Sequence, residues 1–158
     1  MNTSNGIAFS WLPRLVRGLR KTRTEHSGGL LPADAFEECL RKERARVDRG
    51  GPPFSVLALR IDARPGSKSF LQAVAILAAL LNERTRFIDT KGWYGDRIGV
   101  ILPNTPADRV RHIWPPLKAA FDKRLQSESL EEIQLPEVHS EVYIYPCDDE
   151  SRRLQETP

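Results

Sequence analysis

Apolar side chains gather along the chain in short segments whose spacing changes from one to the next. Between Pro32 and Asp48, Phe36, Cys39, Leu40 and Val47 line one helical face while Glu, Arg and Lys fill the other. The spacing predicts an amphipathic helix, ended by Arg49-Gly50-Gly51-Pro52-Pro53. Phe54–Ile61 is short and nearly all apolar, the pattern of a central strand buried on both faces. After a loop at Ala63–Lys68, Ser69 is the expected cap of a helix over Phe70–Asn82, where Leu71, Val74, Ile76, Leu77, Leu80 and Leu81 cover most of the circumference.

Two strands are predicted next, Thr85–Thr90 and Arg97–Leu102, joined as a hairpin through Lys91–Asp96. Pro103–Pro106 reads as a turn. Val110, Ile113, Trp114, Leu117, Phe121 and Leu125 then return to helical spacing, with Pro115–Pro116 expected to kink or split the helix. Gln126–Glu137 is acidic and loop-like, and Val138–Tyr145 alternates as a last strand. Without the first helix the order is βαββαβ. The expected fold is therefore α/β (α+β), a ferredoxin-like sheet with helices packed on it. There are no internal repeats.

Both ends differ from this body. Phe9, Leu12, Leu15, Val16 and Leu19 fall at near-helical spacing with arginines in the gaps and Trp11 near the start, which suggests a basic amphipathic helix over residues 7–23. His26-Ser27-Gly28-Gly29 reads as a linker. The expected organisation is a basic N-terminal segment and linker over 1–27, a domain over 28–147, and a disordered tail over 148–158.

Charge sharpens that division. The net charge is +3, yet Arg14, Arg17, Arg20, Lys21 and Arg23 all lie in the first 24 residues, which hold no acid. Residues 25–158 then carry 19 basic and 21 acidic side chains, so the body is slightly acidic and offers no field for nucleic acid. No stretch reaches the roughly 18 apolar residues of a membrane span, and no secretory signal is expected. Cys39 and Cys147 fit no metal or redox spacing. A cytoplasmic protein is expected, with membrane association through residues 7–23 as an alternative.

Some candidate residues carry little chemistry. His26, His112 and His139 are scattered, without a partner at catalytic spacing. Ser140 between His139 and Glu141 is no triad, because neighbours on a strand point to opposite faces. Trp93, Tyr94 and Trp114 suit a core or the flank of a hairpin, or else an aromatic contact patch.

The stretch Trp93-Tyr94-Gly95-Asp96-Arg97-Ile98-Gly99-Val100-Ile101-Leu102-Pro103-Asn104-Thr105 resembles the signature hairpin of GGDEF domains, the fold of diguanylate cyclases. Tyr94, Gly95, Asp96, Arg97 and Ile98 fall on the five signature positions. Leu30–Leu31 with Phe36 resembles the family's opening helix, Leu57-Ala58-Leu59-Arg60-Ile61-Asp62 its first strand, and Val138–Pro146 its late strand ending in Tyr-Pro. The resemblance spans roughly residues 28–147.

The resemblance also implies what is missing. Active members hold two Mg²⁺ ions with the first acid of the strand-end pair and the third signature acid. Here Arg60 takes the first of these positions, Asp62 matches the strand's second acid, and Asp96 takes the signature position. An arginine deletes a metal ligand and repels the cation. Tyr94 replaces the first glycine, Arg97 the fourth acid, and Ala63–Ser69 is too short for the family's phosphate- and guanine-binding segment. A salt bridge in place of the metal site would follow if Arg60 and Asp96 faced each other.

The resemblance therefore implies a degenerate, catalytically inactive module that acts by protein contact. A link to cyclic di-GMP or exopolysaccharide regulation is implied by the family alone. No cofactor or metal is expected. Arg86-Phe87-Ile88-Asp89 has the Arg-x-x-Asp form of the family's inhibitory site, which makes cyclic di-GMP an alternative ligand; an ordinary ion pair is the plainer reading. A protein partner is expected, and a homodimer is left open.

Overall fold

The computed structural model describes residues 28–128 and 135–146. The basic segment 7–23, His26, Cys147 and the tail 148–158 lie outside the described residues.

The first element is α1, Ala33–Asp48. Asp34 sits in its first turn, where a carboxylate suits the positive end of the helix, and accepts the Ala35 N–H at 2.9 Å. Its buried face is Phe36 and Leu40. The strand β1, Phe54–Asp62, is buried continuously from Phe54 to Leu59, and only Arg60 and Asp62 emerge at its end. The two-sided burial expected of this run is present.

The second helix, α2, covers Lys68–Arg84 and starts earlier than expected. Its cap is Ser67, whose Oγ accepts the Phe70 N–H at 3.2 Å; Ser69 is already helical and only meets the Ser67 hydroxyl, at 3.1 Å. A serine three residues before the first buried phenylalanine can bond that residue's N–H, whereas one adjacent to it cannot.

The hairpin departs further from expectation. Its first strand, β2, is Thr90–Tyr94 and not Thr85–Thr90. The reason is local bonding. Thr85 ends α2 by giving both its N–H and its hydroxyl to the Leu81 carbonyl, at 3.0 and 2.6 Å. The Asp89 carboxylate then accepts the Arg86 N–H at 2.7 Å, while the Asp89 N–H donates to the Arg86 carbonyl at 3.0 Å. A side chain that takes up its own backbone competes with strand pairing. Lys91–Tyr94, expected in the connection, are thus strand. The connection to β3, Arg97–Pro103, shrinks to Gly95–Asp96. Gly95 has φ +63°, as a glycine at the first central position of a two-residue hairpin loop allows.

The third helix, α3, runs unsplit over Ala107–Glu128 through Pro115 and Pro116. Proline has no N–H, so the carbonyls of Arg111 and His112 lose their usual helical donors. Val110, Leu117, Phe121 and Leu125 are buried on both sides of the prolines, and this shared anchorage keeps the two halves in one layer. The helix extends into what was expected to be loop. The last strand, β4, is Glu137–Tyr145.

The four strands form an antiparallel sheet in the order β2-β3-β1-β4. The α+β, ferredoxin-like arrangement with helices on the sheet is therefore present. Leu57, Leu59, Ile98, Val100, Leu102 and Val138 face α2 and α3 in the larger cluster. Phe54, Val56 and Ile101 turn the other way, against Phe36 and Leu40 of α1. Leu31 pairs alongside Gly92, with the Leu31 N–H on the Lys91 carbonyl (3.0 Å) and the Trp93 N–H on the Leu31 carbonyl (2.9 Å).

A tight contact fixes α1. Gly92 and Gly99 lie opposite each other in the β2–β3 register, and the Phe36 ring rests on both. A Cβ at Gly99 would lie 2.5 Å from Phe36 Cζ, and one at Gly92 2.8 Å from Phe36 Cδ2. Side-chain-free positions let helix and sheet approach this closely.

Candidate functional site

Two groups of residues singled out by the sequence take shape at opposite ends of β2. The first surrounds the β2–β3 turn. Tyr94 is half-buried against Phe36, with ring centroids 5.8 Å apart, and burial pushes its hydroxyl pKa up. Ile98 is fully buried, so it serves the core. Asp96 is exposed and meets Arg97 Nε at 3.8 Å. The β1–β3 register pairs Leu59 with Ile98, which brings the next positions, Arg60 and Arg97, alongside each other at the exposed strand ends.

Asp96 therefore pairs with Arg97 and not with Arg60. The acid that faces this corner is Glu141 of β4. Arg97 Nη1 lies 2.5 Å from Glu141 Oε2 and 3.0 Å from the Tyr143 hydroxyl, and that hydroxyl donates to the same Glu141 oxygen. The three side chains form a closed ring of contacts. Burial alone would lower the Arg97 pKa, but the bonds to Glu141 and Tyr143 raise it. For Glu141 burial pushes up, while bonds from Tyr143 and Arg97, with the nearby Arg60 charge, bring its carboxyl below the usual value. Asp62 is exposed at the end of β1 and pairs in register with Glu137. Among the described residues no three or more His, Cys, Asp or Glu side chains come together as a metal site.

Tyr143 gives a measurable signature of this ring. Burial first, then donation to Glu141, pushes its hydroxyl up to about 12. Unfolded tyrosine ionises near ~10, so the stabilising contribution is complete below that pH and is lost as pH rises through about 12. Ultraviolet titration of the three tyrosines should show a last step that Tyr143→Phe removes. If the last step survives the substitution, the ring does not hold Tyr143.

The second group is Arg86 and Asp89. The Asp89 carboxylate is buried, with 3% of its side chain exposed against 52% for Arg86. Arg86 Nε and Nη2 reach Asp89 Oδ1 at 3.2 and 3.0 Å, and Nη2 also donates to Thr105 Oγ1 at 2.8 Å and the Pro103 carbonyl at 3.2 Å. The pair folds on itself and staples the start of β2 to the turn after β3. Phe87 and Ile88, between them, point into solvent.

The remaining candidates settle into ordinary roles. Trp93 is buried and stacks on Phe70 at 6.5 Å, and Trp114 packs against the larger core cluster. Cys39 is free. His139 is exposed, 3.8 Å from Glu137, and His112 is exposed on α3. Among the described residues no helix is long and apolar enough to cross a membrane. Tyr143 was not singled out in the sequence, and Glu141 entered only as a neighbour of Ser140. Their two-residue spacing on an alternating strand was the available signal, but nothing local assigned Arg97 to them.

No family model matches the sequence, and no curated protein matches it. Solved structures do. The GGDEF domain of DgcB from Caulobacter crescentus, determined with c-di-GMP, superposes with a TM-score of 0.60 at 18% identity, covering 78% of this chain and 79% of that one. The FimX GGDEF domain from Pseudomonas aeruginosa gives 0.59 at 13%, covering 78% and 80%. The fold is that of a GGDEF domain. The diguanylate cyclase SiaD from P. aeruginosa, solved with its activator SiaC, gives 0.58 at 18%, covering 84% of this chain and 54% of SiaD. Tyr94–Ile98 lie on the β2–β3 hairpin, beside the end of β1.

Proposed function

We propose that this chain is a catalytically inactive GGDEF-like module that acts by protein contact in cyclic di-GMP-linked signalling, with exopolysaccharide regulation as one setting. The observation that carries this reading is the ring of Arg97, Glu141 and Tyr143 beside Arg60. Two guanidinium groups stand at the strand ends where the resemblance calls for carboxylates, and one is bonded to a carboxylate of its own sheet. A divalent cation brought here would meet the Arg60 and Arg97 charges, with Asp96 and Glu141 both paired to Arg97. SiaD, solved in complex with an activator protein, shows a protein of this fold engaged by a partner. Incubation of the full chain with GTP and Mg²⁺ or Mn²⁺ should yield no cyclic dinucleotide. Formation of product would overturn the reading.

The second reading is a cyclic di-GMP receptor built on Arg86 and Asp89. It is favoured by the exposure of Arg86 beside a buried, pre-positioned carboxylate, and by DgcB having been solved with c-di-GMP. Calorimetric titration separates the two. Binding that Arg86→Ala abolishes would establish the receptor, and no heat at high micromolar dinucleotide would remove it.

A further inference from the structure

A cavity of about 220 Å³ opens between α2, α3 and the sheet, on the face opposite α1. Its walls include Leu57, Leu81, Val100, Leu102 and Leu117, all buried. Natural cores hold few voids larger than a water molecule. An apolar void of roughly 150 Å³ accepts benzene, so this one has room for an aromatic ring with a short tail.

The mouth has a different character. Arg84, Thr85, His112 and Pro116 line it. Arg84 and His112 are exposed, and Arg84 makes no ion pair among the described residues, although its charge acts on the neighbouring Glu83. The carbonyls ending α2 oppose an anion here. One of them, on Leu81, is already taken by Thr85, and the full charge of Arg84 outweighs the partial charge that remains. An apolar chamber with one cation at its mouth, Arg84, suits a small amphipathic anion.

We propose that this cavity binds a small carboxylic acid with an aryl or branched-alkyl body, its apolar end against Leu57, Leu81 and Val100 and its carboxylate at Arg84. The proposal is independent of the Arg97 ring and of any dinucleotide at Arg86. It is tested on the full chain with 3-phenylpropionate as probe and 3-phenylpropan-1-ol as its neutral counterpart, by amide chemical shifts. Shifts should cluster at Leu81–Thr85 and His112–Leu117, with the acid binding roughly tenfold more tightly than the alcohol. Arg84→Gln should remove that preference and leave alcohol binding unchanged. Leu117→Phe should fill the chamber and abolish binding of both; Ile113→Phe, at a half-buried wall position, serves if the first variant does not fold. Equal affinity for acid and alcohol would overturn the ligand class. No shifts at about 10 mM probe, or undiminished binding to the filled variant, would overturn the site.

Discussion

Gly99→Ala is expected to destabilise the protein by about 1–3 kcal/mol, the usual cost of forcing a methyl group into a packed core. The added carbon would sit 2.5 Å from Phe36 Cζ, 2.8 Å from Cε1 and 2.9 Å from the Tyr94 Cβ. Phe36 is fully buried between α1 and the sheet, so the ring or α1 itself must shift. Trimming the ring should relieve the clash. Phe36→Leu alone removes packing and destabilises, yet in Gly99→Ala/Phe36→Leu the two losses should sum to less than their separate values. Urea denaturation of the four proteins measures this coupling. Strict additivity would mean that the glycine is not there for the ring. Gly92→Ala should be at least as harmful, because its new carbon meets the Leu31 carbonyl at 2.9 Å as well, and backbone yields less readily than a side chain.

Asp89→Ala should cost a further ~1–3 kcal/mol, the penalty for leaving hydrogen-bonding groups without partners. The carboxylate accepts the Arg86 N–H and contacts from Arg86 Nε and Nη2, all within a four-residue turn. Without it, the Arg86 guanidinium keeps only Thr105 Oγ1 and the Pro103 carbonyl, and within the segment between α2 and β2 the backbone bond from residue 89 to the Arg86 carbonyl is left without its side-chain support. Hydrogen exchange at Arg86 and Thr90 should accelerate before any change in the core strands. Asp89→Asn, which keeps one acceptor oxygen, should fall between the two. If Asp89→Ala unfolds at the parental denaturant midpoint, the pair is an exposed contact of no structural weight, and its interest lies wholly in ligand binding.

Most of the architecture was legible because it rests on periodicity. Phe36 and Leu40, the apolar run of β1, and Val110 through Leu125 announce their elements by spacing alone. Errors arose where a side chain overruled the local pattern. Thr85-Arg86-Phe87-Ile88 has strand-like composition, but Asp89 bonds back to Arg86 and delays β2 to Thr90. Pro115-Pro116 looked like a break, yet buried residues on either side hold α3 together. At the candidate site the hairpin residues Tyr94–Arg97 were singled out from sequence. The acid opposite them was not, because Arg97 and Glu141 are 44 positions apart and meet only through the order of the strands. The cavity left no trace in sequence at all, since it is defined by the space its walls do not fill.

The paired glycines under Phe36 also make α1 a checkpoint for how the strands align during folding. Slipping β2 by one residue against β3 would bring Lys91 or Trp93 beneath the ring in place of Gly92. A misaligned hairpin could satisfy its backbone bonds but could not close its helix. The first helix thus proofreads the sheet, and a chain without it would tolerate alignments that the intact protein rejects.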